Sequence, residues 1–462
     1  MTITEILQFV DNLIFTETDQ HLDDLQKRII EELFKGKTYK QIAELYNYDE
    51  GYIGDESRKL FKTLSDKLGE NINKSNFAWT IERVINSKIV SFGGNHNINS
   101  YSNCQNSNHP SNNKNSPETE IPKSSYHDLT LSPRIIRFYG REKELEYLSN
   151  CILNQNTPLI SILGLSGIGK TTLVKRFVDF NLDKFEVIIW KSLKYPKSLN
   201  LLIDDLLQVC KQQPEKNLDD KIKQLFNILS TQKCLIILDD IQNIFTPGEL
   251  AGKYQPEYQD YQPLFKLVTE TQHQSNIILI SQEQCPEMES LEPELYPIKS
   301  LELSGLYHSD ILQNTGLKNQ DSWLDLIKLY TGNLMFLKTI TVLIAKNYDG
   351  EVVEFLAENT LHITQQMQSH FQETFNRLSP IEQQIVLQLS KFENPISREE
   401  LRQSLTQKSL TQNLNLSSVD FNNGLQSLQQ RYLVSKLKED KVMFSLSSVF
   451  WEYVRNLSLT LN

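Results

Sequence analysis

Apolar positions along this chain fall into distinct regimes. Up to about residue 90 they keep a helical period: "LDDLQKRIIEELFKG" puts Leu22, Leu25, Ile29, Ile30 and Leu33 on one face and stops at Gly36. "KTYKQIAELYNYDEGYIGDESRKLFKTL" has helix-turn-helix spacing, with Thr38 placed to cap a helix through Leu45 and a recognition-type helix from Tyr52 to Leu64. From about Ser91 to Ser132 the Asn/Ser-rich text offers almost nothing to bury and predicts a flexible linker. Beyond it, "PLISILG", "FEVIIWKSL", "CLIILDD" and "NIILIS" alternate with helical stretches, the order of a parallel sheet with crossover helices. From about Ser309 the pattern turns helical. Ser379, Pro380 and Glu382 mark one helix start, and "YLVSKLKEDKVMFSL" reads as a hairpin.

The predicted fold class is therefore multidomain α/β plus α: a phosphate-loop parallel sheet with helical and winged-helix parts, preceded by a small all-α helix-turn-helix domain. The expected map is 1–90 helix-turn-helix, 91–132 linker, 133–300 nucleotide-binding domain, 301–370 helical domain and 371–462 winged helix. A formal charge of −11 over 462 residues speaks against coating nucleic acid or anionic lipid by bulk electrostatics. The five cysteines are scattered without a CxxC pair, which indicates neither a disulfide framework nor a zinc site and suits a reducing cytoplasm. No apolar run is long enough to span a bilayer.

The chemistry concentrates at "GLSGIGKTT". Gly164, Gly167, Gly169, Lys170 and Thr171 match G-x-x-x-x-G-K-[ST] between a strand and a helix, so backbone N–H groups can turn around phosphate oxygens. Lys170 can reach the β- and γ-phosphates and the Thr171 hydroxyl can ligate Mg²⁺. Asp239, at the carboxyl end of the apolar strand "CLIIL", is the expected second ligand of that Mg²⁺. Asp240 either polarises an attacking water or is a solvated strand-end carboxylate.

Together with "FYGREKELEYL", "YTGNLMFLKTI" and "FSLSSVFWEYV", these pieces resemble the NB-ARC members of the STAND class of P-loop NTPases, in their cyanobacterial branch, from about Arg137 to Val454. The N-terminal unit resembles the vMAP-like helix-turn-helix that stands ahead of NB-ARC units in cyanobacterial proteins. The resemblance implies an adenine nucleotide, ADP or ATP with Mg²⁺, held by Phe138, Tyr139, Gly140 and Arg141, by Gly164, Ser166, Gly167, Ile168, Gly169, Lys170, Thr171 and Thr172, and by Leu334 and Ser447. It also implies departures. The family's arginine after the fourth strand is here Gln282, its Gly-x-Pro reads Gly332-Asn333-Leu334, and its winged-helix histidine falls at Ser447. Loss of a positioned cation predicts hydrolysis that is slow or absent.

The expected function is a nucleotide-dependent switch that signals by conformational change and self-association or through a signalling protein partner, in the cytoplasm and away from membrane. The alternatives are a nucleotide-gated DNA-binding regulator and a non-hydrolysing ADP-bound scaffold. DNA is disfavoured because residues 1–76 hold fifteen acidic against ten basic residues, and the reading helix opens on "DEGYIGDE".

Overall fold

A computed structural model describes residues 3–18, 20–34, 37–68, 72, 77, 80, 81, 126–290, 295–412, 417–438 and 441–460. The Gly36 stop and most of the Asn/Ser-rich stretch lie outside the described residues. The chain divides into two units, Met1–Glu120 and Ile121–Asn462.

In the first unit, helices α1 (Ile3–Thr18), α2 (Asp24–Phe34), α3 (Tyr39–Tyr46) and α4 (Glu50–Leu68) close on a core that includes Val10, Ile29, Ile30, Ile42, Ile53 and Leu64. Thr38 opens α3 through a capping box with Gln41, and Asn47 closes it in the left-handed conformation. That turn leads directly into α4, which gives the helix-turn-helix its corner. On α4, Arg58 pairs with Asp55, and Lys59 lies 2.7 Å from Glu56. Arg58 and Lys59 are thus each answered within their own helix.

The second unit is built on a six-stranded, wholly parallel sheet of β1 (Tyr126–Asp128), β2 (Leu159–Leu163), β3 (Val187–Ser192), β4 (Cys234–Asp239), β5 (Asn276–Ile280) and β6 (Ile298–Glu302), ordered β1-β3-β4-β5-β2-β6. Its central strands β2, β4 and β5 are buried throughout and mostly apolar because both faces are covered. One correction arises here: residues 126–128, expected within the linker, pair with β3, and Asp128 meets Lys191 at 2.8 Å. Three residues, Tyr126, His127 and Asp128, are too few to register as a strand; the free edge of β3 selects them.

After β6 the chain forms the helices Trp323–Leu329, Leu334–Asn347, Val352–Ala357 and Gln365–Asn376. It ends in a three-stranded antiparallel sheet, β7 (Ile396–Ser397), β9 (Val442–Leu446) and β8 (Val434–Lys438) in that order, packed with helices Pro380–Leu389, Arg398–Gln412, Ser418–Gln430 and Ser448–Thr460. Ser379 and Glu382 form the capping box expected at the first of these, with Pro380 in the first turn. One hydrophobic core runs from Leu306 to Val454, so the helical and winged-helix segments pack as a continuous body.

Candidate functional site

The loop after β2 turns into the helix Lys170–Phe180 at Gly169, whose φ of 103° only glycine adopts freely. The Lys170 ammonium folds back to donate to the carbonyls of Gly164 and Leu165 at 2.9 and 3.0 Å. The Thr171 hydroxyl donates to Asp239 at 3.2 Å. Asp239 also accepts the Asp240 backbone N–H at 3.0 Å. Asp240 sits at φ 64°, a left-handed conformation that aspartate tolerates at some cost and that often marks functional turns.

Burial makes these charges expensive. It pushes the Lys170 ammonium down to about 8 despite the pull of Asp239 and Asp240. Burial, then the neighbouring Asp240 charge, pushes the Asp239 carboxyl up to about 7. Two crowded carboxylates beside a hydroxyl are hard oxygen donors short of positive charge, a set that suits Mg²⁺ held mainly through phosphate oxygens. Among the described residues no cluster of three or more His, Cys, Asp or Glu forms a cage of its own.

A cavity of about 400 Å³ opens over the carboxyl ends of β4 and β5, lined by Ser166, Gly167, Gly169, Lys170, Thr171 and Thr172, by Asp239, Asp240, Gln242, Ile280 and Gln282, and by Leu334, Met335 and Lys338. The last three come from the helix Leu334–Asn347, which is seated on the loop. Asn333 caps that helix, accepting from the backbone N–H of Met335 and Phe336, and its amide donates to the Ser166 carbonyl at 2.8 Å. A Cβ at Gly167 would stand 2.4 Å from the Met335 Cβ, so only glycine permits this approach.

The other expected contacts are placed differently. Gly164 lies behind the cavity wall, and Ile168 is buried in the core beneath the loop. Phe138, Tyr139, Gly140 and Arg141 do not line the cavity. The Arg141 guanidinium donates to the carbonyls of Ile168 and Ser304 at 3.2 and 2.6 Å and to Glu144 at 2.7 Å, bracing the loop from behind. Ser447 lines a smaller adjoining cavity of about 50 Å³ with Ser166, Gln242, Gln282, Glu283, His370, Arg377 and Arg431.

Sequence reasoning missed that second wall. Gln242 joins both cavities: its amide donates to Asp240 at 3.1 Å, and its side-chain oxygen accepts the Gln282 N–H at 3.2 Å. Arg377 donates to the Gln242 carbonyl at 2.7 Å and to Glu283 at 2.9 Å. Arg431 pairs with the same Glu283 and reaches Glu382 at 3.0 Å. An ion chain therefore links the end of β5 to the winged helix. Apart from Glu382, which also closes the capping box with Ser379, its members belong to no local motif and are brought together by packing.

The NB-ARC domain model matches residues 141–260, and the model for the vWA-MoxR associated protein N-terminal HTH matches residues 1–84. An uncharacterized WD repeat-containing protein of Nostoc sp. is 30% identical over 348 residues, which cover 71% of this chain and 27% of that protein. The disease resistance protein RFL1 of Arabidopsis thaliana is 27% identical over 128 residues, covering 26% of this chain and 14% of that protein. Among solved structures, the Aeropyrum pernix ORC2 protein in its ADPNP-ADP complexes is similar at 18% identity and a TM-score of 0.45, over 71% of this chain and 95% of that one. This chain thus spans little more than a quarter of the length of the first relative and less of the second. The chain thus carries, over residues 141–260, a region similar to the NB-ARC domain and, ahead of it over residues 1–84, a region similar to the vWA-MoxR associated protein N-terminal HTH.

Proposed function

We propose that this protein is a nucleotide-dependent switch that holds ADP or ATP in the cavity over β4 and β5 and changes shape, and its self-association, with the nucleotide it holds. The observation that carries the reading is the composite lining: one wall is the phosphate loop and the two aspartates, the other is the helix Leu334–Asn347. A ligand that fills such a cavity contacts both bodies, and its differential contacts in the closed and open forms supply the free energy of switching.

In this reading the N–H groups of Gly167, Gly169 and Lys170 cradle the β-phosphate, the Lys170 ammonium turns from the Gly164 and Leu165 carbonyls to the phosphates, and Thr172 flanks them. Thr171 and Asp239 hold Mg²⁺, which when bound neutralises phosphate charge. Asp240, oriented by Gln242, accepts a proton from water. Leu334 packs against the nucleotide where it leaves the loop, and Ser447 offers a hydroxyl from the winged helix. Gln282 places a neutral amide beside the phosphates, and hydrolysis is accordingly slow. Residues 133–300, 301–370 and 371–462 act as the nucleotide-binding, helical and winged-helix parts of the switch, and residues 1–90 as an association module.

The test is to identify the nucleotide that accompanies the purified protein, then measure ADP binding by calorimetry and oligomeric state with ADP and with a non-hydrolysable ATP analogue. Absence of adenine-nucleotide binding would refute the reading, and identical assemblies in both states would remove the switch.

A further inference from the structure

Among the described residues, Lys170, Arg141, Arg377, Arg431 and Lys338 line the two cavities or brace the phosphate loop, and the first four of these five cations are already answered by the protein. Lys170 is held by the carbonyls of Gly164 and Leu165. Arg141 is held by Glu144 and the carbonyls of Ile168 and Ser304. Arg377 is held by Gln242 and Glu283, and Arg431 by Glu283 and Glu382. The fifth is Lys338. It lines the 400 Å³ cavity, is exposed, and among the described residues meets no carboxylate at ion-pair distance.

Its position is fixed by the helix that carries it. Asn333 ties the start of that helix to the Ser166 carbonyl, and Met335 sits against Gly167. A Cβ at Gly169 would lie 3.6 Å from Leu334. Lys338 lies one turn beyond Leu334 on the same face, so the seat of the helix delivers an ammonium to the cavity that Leu334 and Thr172 also line. The remaining lining charges are Lys170, Asp239 and Asp240, which leaves a polyphosphate short of positive partners.

We propose that Lys338 binds the phosphate chain of the nucleotide, supplying from the helical part the positive charge that Gln282 does not carry. The inference rests on the nucleotide-binding reading and sharpens it: affinity for polyphosphate then depends on whether the helix Leu334–Asn347 is seated on the loop. The contact is charge-assisted, partly solvated and screened by salt.

The experiment compares the full chain with its Lys338→Ala and Lys338→Arg variants, titrating adenosine, ADP and a non-hydrolysable ATP analogue with Mg²⁺ at low and high salt. Lys338→Ala is expected to weaken ADP and the analogue about tenfold at low salt, with a shallower salt dependence and unchanged adenosine binding. Lys338→Arg should recover most of the loss, and the melting temperature without nucleotide should not move because the side chain is exposed. ADP affinity within about twofold of the parent, with the same salt dependence, overturns the proposal while leaving the nucleotide reading intact. Equal losses for adenosine and ADP overturn it as well. If the parent binds none of the three, the nucleotide reading falls and the Lys338 contact falls with it.

Discussion

The guanidinium of Arg377 lies 2.9 Å from the carboxylate of Glu283, the residue that directly follows Gln282 at the mouth of the phosphate cavity. Glu283 is fully buried between Arg377 and Arg431, and burial raises its carboxyl against the opposing pull of the two arginines. Without Arg377 the Glu283 carboxylate keeps Arg431 as a partner, so the cost stays below the about 3–5 kcal/mol of leaving a buried charge wholly unanswered. Arg377→Ala is therefore expected to lower the melting temperature and to speed release of a fluorescent ADP analogue. Unchanged release with a lowered melting temperature would make the ion chain a stability element alone.

Lys170→Met should remove measurable ADP binding while leaving the fold in place. The side chain is buried at an energetic cost and its partners in the fold are two carbonyls, so a neutral chain of similar shape is tolerated. Circular dichroism and calorimetry together check both halves of that expectation.

Gln282→Arg should raise ATP hydrolysis at least about tenfold, because a planar cation at the end of β5 can reach charge developing on the γ-phosphate. The gain should vanish in an Asp239→Ala background, where Mg²⁺ loses its carboxylate. Brisk turnover by the parent protein would show that another cation already fills this role.

His370 lines the small cavity beside Ser447, and its imidazole is held below the usual value of 6.5, first by burial and then by the Lys170 charge, with Glu373 pulling the other way. Glu283, Arg377 and Arg431 line the same cavity. A histidine depressed in the folded state takes up its proton more readily when unfolded, so its stabilisation holds above 6.5 and is lost as pH falls through that value. The raised carboxyls of Asp239 and Glu283 gain stability over the same acid range, so the His370 contribution is read as a difference: between pH 7 and about pH 5.5, His370→Gln should lose less melting temperature, or gain more, than the parent. A superimposable pH profile in that variant would assign the loss to other groups.

The phosphate loop and the strand ending in Asp239 were legible because each is a local sentence: a strand, its turn and a helix start within about ten residues, with chemistry that admits few alternatives. The sheet followed from apolar runs buried on both faces. β1 was illegible because three residues become a strand only beside the free edge of β3. Gln242, Lys338 and His370 carry no local mark either. They enter the site through packing, as Asn333 does in meeting Ser166 across 167 positions of sequence. The expected roles of Phe138 to Arg141 came from a motif that does not line this cavity, and its Arg141 braces the loop from behind.

The helix seated on Gly167 also governs time. With Met335 against that glycine and Asn333 bonded to Ser166, the ligand shares its cavity walls with a contact that must separate before the loop is uncovered. On the proposed switch reading, departure of a bound nucleotide is expected to be limited by that separation, so that its lifetime would report how often the helix lifts more than the strength of any phosphate contact. Under that reading the molecule would lag behind its surroundings: after the ratio of ATP to ADP changes, its occupancy would keep the earlier value until the helix lifts.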